Sequence, residues 1–143
     1  MISCDINTLI YAFNADAERH REYRAWLERV LHGRRVLYLA DSVWSGFLRL
    51  TTNPKIFSGT LSLKRSLRFI EQLKNSPNCR PLLPGARHFQ IFSRLCEEVD
   101  AKGNDIPDVY LAALCLESGC QWITTDRGFN RFKELRWQHP LES

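Results

Sequence analysis

Short apolar runs alternate along the chain with longer segments in which apolar residues recur every three or four positions. The apolar runs at 1–4, 36–40 and 122–124 are typical of buried strands, and weaker runs near 80–83 and 135–137 predict two more. The longer segments predict amphipathic helices. Strands that alternate with helices indicate an α/β protein, which we expect to be a three-layer α/β/α domain with a central, mainly parallel sheet of four to five strands.

The predicted helices begin and end at recognisable cap residues. They span 6–13, 18–31, from 41 or 42 to about 50, 62–73, 86–99 and 106–118, with a short helix near 129–132. Asp41 or Ser42 is expected to cap the third helix, and Asp105 the sixth, with Asp108 as its partner three residues on. Gly119 is expected to end that helix. No linker, repeat or low-complexity segment interrupts the pattern, so residues 1–143 are predicted to form a single domain.

The composition narrows the class of protein. With 44% hydrophobic and 25% charged residues, it is typical of a soluble globular protein. We expect no membrane association and a cytoplasmic location, because no apolar run approaches the roughly 20 residues of a membrane helix and the start lacks the basic region of a signal peptide. Five cysteines without a C-x-x-C pair are expected to be reduced and mostly buried. The net charge of +4, with arginine favoured over lysine, fits an anionic partner and an ordinary solvated surface equally well.

Three aspartates occupy positions where a parallel sheet would gather them. Asp5 ends the first strand, Asp126 follows the strand at 122–124, and Asp108 lies in the first turn of the helix before that strand. Ligands in open α/β sheets collect at the carboxyl ends of the strands, so the three side chains can share one pocket. Clustered carboxylates raise one another's pKa, and without a His/Cys set they favour Mg²⁺ or Mn²⁺ as the bound cation.

Each of these aspartates also has a purely structural interpretation. An aspartate between a strand and a helix commonly caps the helix, and Asp108 would interact favourably with the dipole of its own helix. Asp105 fits a cap better than a ligand. The neighbouring polar residues that either orient the carboxylates or cap a helix are Asn7, Thr8, Thr124 and Thr125.

Three long segments around the aspartates carry a family resemblance. They are DINTLIYAF, SVWSGFLRLTTNPKIF and DIPDVYLAALCLESGCQWITTDRGFNRFKELRWQHPL. Together they resemble the PIN-domain ribonucleases, and specifically the VapC-type toxins of bacterial toxin–antitoxin pairs. The resemblance implies a metal-dependent endoribonuclease that cuts structured RNA such as tRNA or rRNA, forms a homodimer and is inhibited by a VapB-type antitoxin. Asp5, Asp108 and Asp126 match three acidic positions of the family and would be its catalytic residues and its ligands for Mg²⁺ or Mn²⁺.

Two positions depart from the family pattern. Gly46 stands where a glutamate is expected, and Gly128 stands where a further acid often follows the final aspartate. One hypothesis is therefore an active enzyme in which metal-activated water attacks a phosphodiester, and water replaces the missing ligands. The alternative is a degenerate PIN domain that binds RNA or a protein partner without cleaving. A receiver-type signalling domain is disfavoured, because residues 75–84 contain no acceptor aspartate.

Basic residues near the middle of the chain are candidates for contact with RNA phosphates. A solvated helix face explains several of them equally well. None of the four histidines has a convincing position as a general acid. The basic candidates are Arg49, Lys55, Lys64, Arg65 and Arg68.

Overall fold

The computed structural model describes residues 1–57 and 62–142, and within them five parallel strands form one sheet. The strands are β1 (Ile2–Cys4), β2 (Leu37–Leu39), β3 (Cys79–Pro81), β4 (Gln121–Ile123) and β5 (Trp137–Gln138). Their order across the sheet is β3-β2-β1-β4-β5. The predicted domain bounds of 1–143 include positions 58–61 and 143, which lie outside the described residues.

Helices cover the sheet and complete the three-layer architecture that the sequence pattern predicts, so the predicted fold class is confirmed. They are α1 (Ile6–Phe13), α2 (His20–Leu31), α3 (Asp41–Thr51), α4 (Leu63–Asn75), α5 (His88–Glu98) and α6 (Asp105–Ser118). The middle strand β1 and its neighbours are buried because they carry almost only apolar side chains. Trp122, Phe47 and Phe129 are the largest of the fully buried side chains.

The chain reverses its direction of travel across the sheet between β1 and β4. From β1 it proceeds to β2 and then β3 on one side, and it returns to place β4 and β5 on the other side. In the register of these neighbours, Ser3 lies beside Trp122 and Cys4 beside Ile123. A switch point of this kind leaves a crevice at the carboxyl ends of the two strands, which is where ligands of open α/β sheets bind.

Several predicted helix ends were wrong, and the backbone shows why. Helix α2 begins at His20 rather than at residue 18, because Arg19 adopts a left-handed conformation with φ 59°. Ala40 occupies the cap position of α3 and makes no side-chain hydrogen bond, so neither Asp41 nor Ser42 caps that helix. The short predicted helix near 129–132 is a 3-10 helix over Arg127–Arg131. The last strand covers Trp137–Gln138 rather than the predicted 135–137.

The predicted capping arrangement of α6 was also wrong. Asn104 holds the cap position, and its side chain makes no capping hydrogen bond. Asp105 instead begins the helix, and its Oδ2 accepts a hydrogen bond from the backbone N–H of Lys102 at 3.2 Å. Gly119 ends the helix as predicted, with the left-handed φ of 78° that glycine tolerates.

The five cysteines are free, as expected from their spacing. Four are buried, and Cys96 is partly exposed. Burial raises the pKa of Cys79 to about 11, so this thiol is protonated at neutral pH. Within residues 1–57 and 62–142, none of the helices is long and apolar enough to cross a membrane.

Candidate active site

Two of the predicted aspartates lie together at the switch point between β1 and β4. The backbone N–H of Asp5 donates to the carbonyl of Ile123 at 3.2 Å, which extends the strand pairing by one residue. This bond brings Asp5 level with Thr124, the first residue after β4. Adjacent parallel strands thus place side chains that are over a hundred positions apart in one crevice.

The carboxylate of Asp5 is held by hydrogen bonds on both oxygens. Its Oδ1 accepts from the backbone N–H of Thr8 at 3.0 Å and from the Thr8 hydroxyl at 2.8 Å, so Asp5 caps α1. Its Oδ2 accepts a short hydrogen bond from the hydroxyl of Thr124. Thr8 and Thr124 are both fully buried. The orientation of Asp5 is therefore fixed by the fold.

Thr124 also links Asp5 to Asp126. Its hydroxyl oxygen accepts the backbone N–H of Asp126 at 3.0 Å while its proton goes to Asp5. Asp126 is exposed and caps the 3-10 helix, because its Oδ1 accepts the N–H of Gly128 at 2.8 Å. One buried threonine therefore positions the two carboxylates relative to each other.

Asp108 approaches the crevice from α6. Its side chain is 36% exposed, and its Oδ2 lies 3.3 Å from Nη2 of Arg131. The same nitrogen lies 3.9 Å from Oδ1 of Asp105. An arginine that the sequence reasoning did not single out is thus in contact with the predicted acidic site.

The pKa values of Asp5 and Asp108 both respond to the charge of Asp126. Burial raises the pKa of Asp5, hydrogen bonds from Thr124 and Thr8 oppose this effect, and the charge of Asp126 adds to it. Burial also raises the pKa of Asp108, contact with Arg131 opposes it, and Asp126 and Asp105 add to it. Asp126 therefore repels both of the other carboxylates, which is the electrostatic property of a shared acidic site.

The donor set fits a hard divalent cation in its chemistry. Carboxylate oxygens that repel one another are the ligands that Mg²⁺ and Mn²⁺ prefer, and such a cation would relieve the repulsion. In the part of the chain that the structure describes, however, no three His, Cys, Asp or Glu side chains converge closely enough to hold a metal ion. Asp108 instead pairs with Arg131.

The two departures from the family pattern have local structural explanations. A Cβ on residue 46 would overlap the Cδ1 methyl of Ile6, so that side chain fills the place next to the buried Gly46. A Cβ on residue 128 would lie 2.9 Å from Oδ1 of Asp126 and 3.2 Å from Nη1 of Arg131. Neither position has room for a carboxylate without displacing a neighbour.

Asn7 and Thr125 lie near the aspartates without a hydrogen bond to them among the described residues. Both residues line a cavity of about 630 Å³ together with Tyr11 and Tyr23. Among the hydrogen bonds of the described residues, none joins either side chain to Asp5, Asp108 or Asp126. Of the four polar neighbours predicted to orient the acids, Thr8 and Thr124 are the ones in direct contact with Asp5.

Two of the predicted RNA-binding residues lie in a groove away from Asp5. Arg65 and Arg68 line a groove of about 340 Å³ with Phe13, at the end of α1 opposite to Asp5. The guanidinium of Arg65 lies 5.9 Å from the centre of the Phe13 ring. The remaining exposed candidates are Arg49, Lys55 and Lys64. Their role in RNA binding stays a prediction.

A second basic surface was missed in the sequence. A cavity of about 650 Å³ beside α2 and the C-terminal segment is lined by the carboxylates Glu22 and Glu142 and by four arginines, which are Arg21, Arg29, Arg34 and Arg35. The only signal in the sequence was the high number of arginines in residues 19–35. The helix prediction for this segment took no account of them. For Arg131, the available signal was a cation three residues after Gly128, the position where an acid is usual.

The histidines make structural contacts, in line with the sequence-based expectation. His20 and His32 each have Nδ1 within 2.8 Å of a backbone carbonyl, and Nε2 of the buried His88 lies 3.1 Å from the carbonyl of Tyr110. His139 accepts the N–H of Leu141 through Nδ1 at 3.1 Å. Among the described contacts, none of these rings reaches an aspartate of the site.

Comparison with known proteins agrees with this architecture. The model of the PIN-domain family matches residues 2–135, which is most of the chain. The chain therefore belongs to the PIN-domain family, as the resemblance indicated.

Within that family its relatives carry the VapC name. It is 43% identical over 142 residues to Ribonuclease VapC43 of Mycobacterium tuberculosis, covering 99% of this chain and 97% of the relative. The VapBC-1 structure from nontypeable Haemophilus influenzae has a TM-score of 0.71 at 20% identity and covers 99% of this chain and 100% of its own. VapC20 of Mycobacterium tuberculosis, described as a sarcin-ricin loop cleaving toxin, has a TM-score of 0.62 at 12% identity and covers 94% and 95%.

Proposed function

We propose that this chain is a metal-dependent endoribonuclease toxin of a type II toxin–antitoxin pair, which hydrolyses phosphodiester bonds in structured RNA such as tRNA or rRNA. The observation that carries the proposal is the placement of Asp5 and Asp126 at the switch point, where the Thr124 hydroxyl joins them, with Asp126 also raising the pKa of Asp5 and Asp108. Repulsion by Asp126 is unfavourable for the fold, and a bound cation would relieve it. The VapC ribonucleases to which the chain is similar supply the reaction class.

Asp5, Asp108 and Asp126 would hold the Mg²⁺ or Mn²⁺. When bound, this cation lowers the pKa of a water molecule for in-line attack and neutralises the charge that develops on the phosphate. Thr124 and Thr8 keep the Asp5 carboxylate oriented, and their hydrogen bonds favour its ionised form. Thr124 also fixes the backbone at Asp126, which would keep the distance between Asp5 and Asp126 constant.

The proposed partners follow from the solved relatives. Several of the structures that share this fold are VapBC complexes, and two of them contain DNA. We therefore expect a VapB-type antitoxin as the protein partner, a homodimer of this chain, and a cytoplasmic location for the pair. The groove lined by Phe13, Leu27 and Phe69 is apolar with arginines at its border, which fits an amphipathic helix of such a partner.

The alternative function is a degenerate PIN domain that binds RNA or a protein without cleaving. It is favoured by Gly46 and Gly128, because an acid at either position would have to displace a neighbouring side chain. Under this alternative, Asp5 would serve only to cap α1 and pair β1 with β4.

Cleavage of total RNA by the purified, antitoxin-free chain separates the two functions. We expect cleavage with Mn²⁺ or Mg²⁺, loss of cleavage with chelator, and loss in Asp5→Asn. Glu117→Gln is the matched control, because Glu117 is also a carboxylate that accepts backbone N–H groups but lies on the far end of α6. Well-folded chain that leaves RNA intact with either cation would rule out the enzyme and favour the degenerate domain.

A further inference from the structure

Arg131 reaches from the 3-10 helix into the acidic site. Its Nη2 lies 3.3 Å from Asp108 and 3.9 Å from Asp105, and its Nη1 donates to the carbonyl of Gly128 at 3.1 Å. Both ends of the guanidinium are thus engaged, one by carboxylates and one by the backbone of the loop that follows Asp126. The side chain is 31% exposed, so it remains open to solvent and to a ligand.

Two aromatic rings support this guanidinium. It lies 4.7 Å from the centre of the Phe132 ring and 5.8 Å from that of Phe129. Both phenylalanines are buried, so they form a fixed platform. A planar guanidinium over an aromatic face is stabilised by the ring and loses little freedom when it binds a second partner.

The missing acid at position 128 makes room for this arrangement. A Cβ there would lie 3.2 Å from Nη1 of Arg131 and 2.9 Å from Oδ1 of Asp126. A longer side chain at this position would have to share the space that the guanidinium occupies. The chain therefore has a cation where the family pattern often has a further carboxylate.

We propose that Arg131 is a built-in counter-cation of the acidic site that becomes a contact for RNA phosphate when a divalent cation binds. In the metal-free protein it pairs with Asp105 and Asp108, which lowers the repulsion among the acids. A divalent cation competes for Asp108, and the guanidinium then presents its donors to the RNA backbone, whose phosphates match its planar geometry. This inference depends on the proposed nuclease function for its RNA part only.

A purely structural role predicts a different outcome. If Arg131 only ties the 3-10 helix to α6, removing it would destabilise the protein and weaken metal and RNA binding together. The counter-cation role predicts effects of opposite sign, because removing a positive charge favours a second cation and disfavours an anion. Metal affinity and RNA affinity must therefore be measured separately.

The experiment compares Arg131→Gln with Arg94→Gln in the full chain. Arg94 also pairs with two carboxylates, Glu98 at 2.8 Å and Glu134 at 2.9 Å, but none of the three is an acid of the site. Calorimetric titration with Mn²⁺ alone measures metal affinity, and fluorescence anisotropy of labelled bulk tRNA in Ca²⁺ measures RNA affinity.

We expect Arg131→Gln to bind Mn²⁺ about two- to fivefold more tightly, since one partly exposed ion pair no longer competes. Binding of tRNA should weaken about tenfold, which corresponds to one charge-assisted hydrogen bond. Arg94→Gln should match the unmodified chain in both measurements. Arg131→Lys keeps the charge and should restore Mn²⁺ affinity to the unmodified value while recovering only part of the RNA affinity.

Four outcomes would overturn the inference: no Mn²⁺ binding by the unmodified chain, an unchanged or weaker Mn²⁺ affinity in Arg131→Gln, unchanged tRNA binding, or equal effects in Arg94→Gln. If Arg131→Gln does not fold, Arg131→Lys decides: an unchanged Mn²⁺ affinity with weaker tRNA binding supports the inference, and unchanged tRNA binding or a changed Mn²⁺ affinity overturns it. Failure of the proposed function is recognised separately, because the unmodified chain would then bind Mn²⁺ as expected but leave RNA uncut.

Discussion

Asp5 and Glu117 are both carboxylates that accept backbone N–H groups near a helix start, yet their pKa values shift in opposite directions. Glu117, on α6, accepts the N–H groups of Gly85 and Arg87 ahead of α5, and these bonds lower its pKa. Asp5 accepts comparable bonds from Thr8 and Thr124, but burial outweighs them and its pKa rises. The fold stabilises the charge of Glu117 and tolerates the charge of Asp5.

The difference is the one expected between a structural carboxylate and a ligand for a cation. Glu117 accepts N–H groups from the turn ahead of α5, whose cap residue Arg87 makes no side-chain capping bond, so the fold gains from its ionised form. Asp5 and Asp108 lie close enough to Asp126 for its charge to raise both pKa values. Such an arrangement lowers the stability of the fold until a cation binds. This loss of stability is expected of a binding site rather than of a structural feature.

The largest effect is expected from Asp126→Asn. The substituted amide oxygen can still accept the N–H of Gly128, so the 3-10 helix should form and the melting temperature should change little. The negative charge of Asp126, which raises the pKa of Asp5 and of Asp108, is lost. We expect the initial rate of RNA cleavage to fall by at least about 100-fold, since loss of a supporting group alone costs about 10- to 100-fold. A variant that retains a tenth of the rate or more would show that Asp126 only caps the 3-10 helix.

A smaller effect is expected from Thr124→Val, for which Thr51→Val is the matched control. Both threonines are buried and bond through the hydroxyl, Thr124 to Asp5 and Thr51 to Ser66 at 2.8 Å between α3 and α4. Each substitution leaves a buried polar partner unsatisfied and should lower the free energy of unfolding by about 1–3 kcal/mol. Cleavage should fall about 10- to 100-fold only in Thr124→Val. Equal rates in the two variants, each corrected for its folded fraction, would mean that Thr124 does not orient the site.

Mn²⁺ should stabilise the acidic site and leave the Glu117 region unaffected. At a free concentration about 100 times its dissociation constant, a ligand adds about 2.7 kcal/mol to the free energy of unfolding. For a chain of this size that amounts to a rise of roughly 5–10 °C in melting temperature. Scanning calorimetry should show the rise in the unmodified chain and in Glu117→Gln, and show little of it in Asp5→Asn. The same rise in Asp5→Asn would place the cation elsewhere.

The architecture was predictable from the sequence because each strand and helix has a clear hydrophobic period. The positions of Asp5 and Asp126 followed from that architecture, since they lie one and three residues after strands that pair in a parallel sheet. The predictions that were wrong concern the capping roles of single side chains. Asp105 had every local property of a cap, yet it accepts a bond from Lys102 and faces Arg131, because the preceding loop folds back over the helix start.

Arg131 could not be identified from local pattern for a similar reason. Its contacts are with Asp108 on α6, more than twenty residues away, and with the rings of Phe129 and Phe132. The same limit applied to Gly46, which the sequence marked as a missing acid without showing that Ile6 fills the space. Long-range contacts of individual side chains depend on packing details that hydrophobic periodicity does not encode.

The smallest effect, and the one that tests the comparison most directly, is the pH dependence of stability in Glu117→Gln and Asp5→Asn. The lowered pKa of Glu117 stabilises the fold above the ordinary glutamate pKa of about 4.3, and this contribution is lost as pH falls through the folded value. Glu117→Gln should therefore have a lower melting temperature than the unmodified chain at neutral pH, by less than the Mn²⁺ shift. The two temperatures should converge in acid.

Asp5→Asn should show the opposite sign in metal-free buffer. A raised pKa means that ionised Asp5 lowers stability at every pH above its folded value, and that this cost disappears below the ordinary aspartate pKa of about 3.9. The asparagine variant should thus melt at a higher temperature than the unmodified chain at neutral pH and lose that advantage as the pH falls. Thermal scans from pH 3 to pH 8 with chelator present measure both differences. If the melting temperatures of the two variants shift in the same direction, Asp5 is a structural carboxylate like Glu117, and its charge does not serve to bind a cation.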